Sequence, residues 1–310
     1  MSQARKERWT AFLILLPSII LLAIFVYGFI AWTARVSMSA WDGIVPDYTW
    51  VGFENYNRLF TKAGGVSAIR FRIDLWNTFF FTILFLLGCV VVGMFLAILL
   101  DQHVRGEGIF RTAYLFPMSL SFVVTGVVWQ WIFAPGAPGR PRGINALLGT
   151  LGLEQLQWPW FISTESIGPF HLALIPLIIA AAWQMTGYTM AMYLAGLRGI
   201  PEELREAARV DGATEVHIYR SIIMPMLRPI TLSALIVLGH ISLKIFDLIY
   251  TMTGKGPGFV TDVPSIFMFE TTFQGNHYAQ GAAISIIMLF MVAFVVVPYL
   301  VTSLRGEVER

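Results

Sequence analysis

The sequence predicts an all-α membrane protein with six transmembrane helices and a charged cytoplasmic loop between the fourth and fifth. Three observations predict it. Of 310 residues 56% are apolar and only 13% charged, with a mean hydropathy of +0.69, whereas a soluble domain carries roughly 25% charged residues to wet its surface. Six segments are apolar over the roughly 20 residues needed to cross about 30 Å of hydrocarbon. Between two of them, residues 196–228 hold five basic and five acidic side chains. This composition excludes a soluble enzyme, a disordered linker and a secreted disulfide scaffold. The net charge of +2 gives no sign of a nucleic-acid partner. The single cysteine, Cys89, lies in an apolar run and has no partner for a disulfide.

The first span, 11–33, follows Arg5, Lys6 and Arg8. It is longer than the roughly 7–15 apolar residues of a signal peptide, so an uncleaved anchor is expected. The second and third spans are 77–100 and 112–134, the latter ending at the turn-rich stretch PGAPGRPRG (135–143). The fourth, fifth and sixth are 169–195, 229–252 and 279–303. An even count puts both termini on one side. With the termini inside, the inner segments carry 12 Lys and Arg in 61 residues and the outer segments 8 in 103. That asymmetry fits the positive-inside rule and a cytoplasmic location for both termini. Trp41, Tyr48, Trp50, Trp76, Trp158 and Trp160 gather near span ends, either as headgroup-level anchors or as the packing of a small extracellular cap. There is no internal repeat or soluble domain boundary, so residues 1–310 read as one transmembrane domain.

The loop 196–228 belongs neither to lipid nor to open water. Pro201 suits the first position of a helix, and Glu202 and Glu203 suit its positive end. Leu204, Ala207, Ala208 and Asp211 follow at helical spacing, and Gly212 stops the helix. A second helix is expected from Thr214, with Val216, Tyr219, Ile222 and Ile223 as its apolar side, until Pro225 and Pro229 break it. A helix lying at the headgroups would carry a basic polar face. This loop is charge-balanced, and its small residues Ala207, Ala208, Gly212 and Ala213 let another protein approach closely.

The run Glu206-Ala207-Ala208-x3-Gly212-x9-Ile222-x-Met224-Pro225 resembles the EAA loop of the inner-membrane permease subunits of ATP-binding-cassette (ABC) importers. Met224 stands where that family usually has leucine, an exchange that conserves volume. The resemblance extends from the second span onward and is closest to carbohydrate permeases. Trp129…Pro135…Gly143-Ile144-Asn145, Trp183-x3-Gly187-Tyr188 and Ala195-Gly196-Leu197-x2-Ile200-Pro201 are similar to their third and fourth spans. Phe246-Asp247-x-Ile249-Tyr250-x2-Thr253-x2-Gly256-Pro257 is similar to the end of their fifth, with Lys255 replacing the middle residue of a triple glycine. The resemblance implies a permease in a bacterial or archaeal cytoplasmic membrane that carries one sugar inward. It implies four kinds of partner: a second homologous permease, two cytoplasmic ATPase subunits seated on Glu206, Ala207, Ala208, Asp211, Gly212, Ala213, Ile222 and Pro225, an extracytoplasmic substrate-binding protein, and the bilayer. ATP and Mg²⁺ would sit on the ATPase subunits and no cofactor on this chain. No Gly-x4-Gly-Lys-[Ser/Thr] occurs here, so the energy must enter from another polypeptide and no enzyme activity of its own is expected.

Candidate pathway residues are polar groups on helix faces that ought to be apolar. His240, Lys244, Asp247 and Thr251 recur at intervals of 4, 3 and 4, one face of a continuous helix. Lys244 would lie about 22 Å along a helix from Pro229. Buried charge at that depth costs about 2.5–3.5 kcal/mol, so it faces a cavity or a partner, and a self-neutralising Lys244–Asp247 pair is the plainer alternative. Gln184 and Tyr188 flank Gly187 in the fourth span; Thr125 and Trp129 share a face of the third. Each is also explained as a helix–helix hydrogen bond or an interface anchor. His103, His171, His217 and His277 show no metal spacing. An ion-coupled transporter or channel using Lys244 and Asp247, and an enzyme acting on lipid-linked sugar, are the rival readings.

Overall fold

A computed structural model describes residues 3–102, 104–137 and 139–308, and the side chains of these except 3–8, 10, 300 and 302–308. His103 lies outside the described residues, and the side chains of Arg5, Lys6 and Arg8 outside the described ones. The chain divides into two compact units, one of residues up to Ala68 with Met268–Leu289, the other of Ile69–Phe267 and the chain from Phe290.

The elements run α1 (Gln3–Leu22), continued through a π turn at Ala23–Gly28 into α2 (Phe29–Ser37), then α3 (Glu54–Phe60), α4 (Val66–Asp101), α5 (Glu107–Leu115) and α6 (Phe122–Ile132). After β1 (Gly136–Ala137) and β2 (Arg140–Pro141) come α7 (Gly143–Thr150), β3 (Ser166–Ile167), β4 (Phe170–His171) and α8 (Leu174–Arg198). The rest is α9 (Glu202–Val210), α10 (Glu215–Ile218), α11 (Met224–Met226), α12 (Arg228–Leu243), α13 (Asp247–Met252), α14 (Pro264–Phe269) and α15 (Tyr278–Val308). Among the described residues the strands form two short antiparallel ladders, one inside the turn-rich 135–143 stretch.

Among the described residues four helical segments are each long and apolar enough to cross a membrane: Ala11–Ser37, Val66–Asp101, Leu174–Arg198 and Tyr278–Tyr299. Two further helix pairs are bent, one within the third expected span and one joining the second helix of the 196–228 loop to the start of the fifth. Glu107–Ser119 meets Phe122–Ile132 at 100°, and Glu215–Met226 meets Arg228–Leu243 at 61°. Two-thirds of the apolar window of α8 is buried but none of that of the first span, so α8 is the central helix of the second unit. Its core gathers Phe81, Phe85 and Cys89 of α4, Leu174, Leu177 and Met185 of α8, and Leu248, Ile249 and Met252 of α13.

Helix α4 begins eleven residues before the expected start at 77. The turns in between carry Arg70 and Asp74, which a lipid-facing helix would not tolerate, but both are buried here. The Arg70 guanidinium gives Nε–H to Asp262 Oδ2 at 2.5 Å and lies over the rings of Phe259 (5.0 Å) and Phe267 (4.4 Å). One turn on, Asn77 donates to the carbonyls of Phe259 (3.1 Å) and Asp262 (2.9 Å). With its amide nitrogen so used, Asn77 Oδ1 accepts from His171 Nδ1, 2.8 Å away, which fixes the proton on that ring nitrogen. With Arg70 and Asn77 held inside the protein by these contacts, the helix runs on.

In the first unit, buried Asn55 donates to the carbonyls of Ser37 and Ser39, both at 2.9 Å, and pins the end of α2. Trp41 packs on Tyr278 and Tyr48, and Asp42 meets His277. In the second unit, Trp160 packs on Phe133 and donates to Asn145 Oδ1 at 2.8 Å, while Trp158 donates to Glu165. Trp41, Trp158 and Trp160 thus pack on side chains of their own units, whereas Trp50 remains 66% exposed.

Candidate functional site

The 196–228 loop folds into two short helices at an elbow. α9 begins at Glu202, one residue later than spacing suggests, with Pro201 just outside it at ψ 131°. At the other end Ala213 N–H bonds the Ala208 carbonyl (2.9 Å) and Gly212 N–H the Arg209 carbonyl (3.0 Å). This double closure needs a left-handed residue between, and Gly212 supplies it at φ +83°. Thr214 Oγ1 then accepts from His217 N–H at 3.4 Å and starts α10. Pro225 does not break the second helix as expected. A π turn at Tyr219–Ile223 precedes it, and Pro225 occupies the first turn of α11, where a missing N–H costs nothing. The chain turns at Leu227 instead.

The elbow is keyed to the ends of two spans. Ile218, Ile223 and Leu227 are buried with Ala97 and Leu100 of α4 and Tyr193, Leu194 and Leu197 of α8. Ala208, Ala213 and Ile222 pack partly against this cluster, and Pro225 is half-buried. Glu206, Ala207, Asp211 and Gly212 are exposed, as are Val210 (87%) and Val216 (77%). Val216 thus points away from the core; Ile218, two residues on, takes the place expected of it.

Arginines that the spacing argument passed over hold the elbow. Arg205 reaches Asp101 Oδ2 at the end of α4 (3.0 Å) and the Leu197 carbonyl at the end of α8 (3.2 Å). Both side chains of the Arg205–Asp101 pair are nearly buried. Arg209 bridges the bend itself, at 3.2 Å from Glu202 Oε1 and 2.7 Å from Glu215 Oε1. Hydrogen bonding from Arg209 holds the Glu215 carboxyl below its ordinary range. Asp101, a lone carboxylate closing an apolar run, was the readable signal.

The pathway candidates fall into separate groups. Gln184 is buried and gives its amide N–H to the Leu120 carbonyl at 2.8 Å, at the break of the third span. Gly187 lies against the same segment, since a Cβ there would fall 2.1 Å from the Tyr114 carbonyl oxygen. Both therefore meet the broken span. Tyr188 is half-buried beside the core. Thr125 is buried with no hydrogen-bond partner for its hydroxyl among the described residues, and the same is true of Gln184 Oε1. Trp129 stacks on Phe133 and meets Trp183 edge-on.

The single face expected for His240, Lys244, Asp247 and Thr251 is interrupted. α12 ends at Leu243, Lys244 is its C-terminal cap, and α13 starts at Asp247. The charges stand at two helix ends of matching polarity, lysine at a negative C-terminus and aspartate at a positive N-terminus. Among the described residues no ion pair joins them, and both are exposed on the isolated subunit. His240 is half-buried on α12. Thr251 packs against Gly126 of α6, so α13 meets the C-terminal piece of the bent third span. Gln130, Tyr250, Thr251, Thr253, Gly254 and Gly256 line an open cleft of about 490 Å³ beside that contact.

Residues 89–306 match the family described as the binding-protein-dependent transport system inner membrane component. The chain belongs to this family. As a permease it is 41% identical over 295 residues to a probable ABC transporter permease of Pyrococcus horikoshii, covering 95% of this chain and 96% of that protein. It is 37% identical over 284 residues to the xylose/arabinose import permease protein XacH of Haloferax volcanii, covering 91% and 84%. The trehalose/maltose transport system permease protein MalF of Thermococcus litoralis is 29% identical over 296 residues, covering 95% and 94%. The fold of this permease is shared with a bacterial ABC transporter solved as an importer of the acidic polysaccharide alginate, at a TM-score of 0.74 and 22% identity, covering 94% of each chain.

Proposed function

We propose that this permease is the membrane subunit of an ATP-driven sugar importer, acting as one domain of six spans: the four long helices, the bent segment 107–132 as the third, and α12 with α13 as the fifth. The observation that carries the reading is the elbow. Its outer side is exposed and built of small residues, while its inner side is fastened to the ends of α4 and α8, so a push on α9 is delivered to two spans. Two cytoplasmic ATPase subunits, holding ATP and Mg²⁺, would supply that push, one of them through Glu206, Ala207, Asp211 and Gly212. A second homologous permease would cover the exposed Lys244 and Asp247 and complete the path. An extracytoplasmic binding protein would deliver the cargo. Relatives named for xylose/arabinose and for trehalose/maltose support a sugar as that cargo.

The test is uptake by vesicles of defined content. With the binding protein, both permeases and the ATPase, uptake should follow ATP and stop when the ATPase is omitted. Uptake driven by an ion gradient through this subunit alone would refute the proposal and restore the ion-coupled alternative.

A further inference from the structure

The buried group around Arg70 serves no step described so far, yet it is tied to the cleft. Asp262, whose carboxylate holds Arg70 and whose carbonyl accepts from Asn77, is fully buried. Its neighbour Thr261 donates its hydroxyl to the Gly254 carbonyl at 3.2 Å and its N–H to the Lys255 carbonyl at 3.3 Å. Gly254 and Gly256 form the cleft wall. Between wall and anchor the chain turns through Gly254, Gly256, Gly258 and Phe259, all with positive φ. At Phe259, φ +68° is a conformation a bulky residue adopts only when its surroundings impose it. The Phe259 carbonyl accepts from Asn77, and its ring lies under the Arg70 guanidinium. The wall is therefore not free to find its own shape; α4 dictates it.

We propose that Arg70, Asn77 and Asp262 are positioning residues for transport: a clamp on α4 that sets the Thr253–Pro257 wall of the cleft and thereby the fit of the incoming solute. The inference rests on the importer reading for its consequence, but the clamp itself is testable without it. In a Cys89→Ala background, Thr253→Cys in the purified importer is modified with a small maleimide. R70Q and D262N should each raise the modification rate at least fivefold, while R70K, which keeps the charge, should stay within twofold of the parent. In uptake assays, R70Q and D262N at parental abundance should raise the KM for binding-protein-delivered solute about five- to tenfold with a smaller change in maximal rate. Where either variant fails to accumulate, T261V removes only the tie to Gly254 and should raise modification about threefold.

An unchanged modification rate in an accumulated D262N or T261V variant overturns the clamp. So does a fall in maximal rate at constant KM, which would mark a role in stability alone. If the parent importer moves no sugar while modification responds as stated, the cargo reading fails and the positioning of the wall stands.

Discussion

Replacing Gly212 separates a cost inside the chain from a cost at a partner. At φ +83° any side chain other than glycine loses about 1–2 kcal/mol, less for asparagine, which visits this region more readily. A Cβ built there meets nothing within 4 Å, so the chain itself adds no clash, however large the side chain. G212A and G212R therefore carry the same intrachain penalty, a factor of about 5 to 30 in the equilibrium of the helix end. Any further loss in G212R belongs to whatever sits against the elbow. The assay compares G212N, G212A and G212R for abundance in the membrane, copurification of the ATPase, and solute moved per ATP hydrolysed. All three should insert like the parent; G212N should transport nearly normally, G212A less, and G212R at least tenfold less than G212A with the ATPase lost on purification. Equal transport by G212A and G212R would refute the docking argument, and loss of G212R from the membrane would put the clash within the chain.

D101N should leave the Arg205 guanidinium nearly buried without its carboxylate, a loss of about 3 kcal/mol of elbow docking, read as roughly 100-fold faster hydrogen exchange in α9. Q184L leaves the Leu120 carbonyl unpaired at the break of the third span, at a cost of about 1–3 kcal/mol, which a fall of several degrees in the thermal midpoint of the detergent-solubilised protein would register. Because Arg209 holds the Glu215 pKa below its ordinary 4.5, that bridge contributes fully above 4.5 and is lost only as pH falls through the lowered value; exchange at residues 210–214 should be flat at neutral and mildly acidic pH and rise only below this. K244A should change transport rate or cargo preference at unchanged abundance, whereas an effect on abundance alone would make Lys244 a helix cap and nothing more.

Much of this was legible in the sequence because it is periodic or local. Apolar runs gave the long helices, and the spacing from Glu206 to Pro225 gave the elbow, since a glycine at a helix end and a threonine two residues on carry their geometry with them. Three-dimensional pairings were not legible. Arg70 looks like a loop residue until Asp262, 192 residues away, is brought beside it. Arg205 looks like any exposed helix cation until α4 delivers Asp101 to it. The same reason explains Pro225: a proline reads as a break, but a π turn before it absorbs the change of register.

The breaks carry the remaining argument. A helix ending inside a membrane exposes carbonyls at one end and N–H groups at the other, and hydrocarbon satisfies neither. At the third span Gln184 answers the freed Leu120 carbonyl from α8. Between α12 and α13, Lys244 and Asp247 stand at the two facing helix ends, each beside the backbone charge it complements. Their three-residue separation, which reads as an ion pair on an unbroken helix, is instead the width of the gap. Charges so placed stabilise the two helix ends without cancelling each other, and both side chains stay exposed. That is why a lysine and an aspartate can be kept in an otherwise apolar stretch, at the gap between α12 and the short helix α13 that meets α6 beside the cleft.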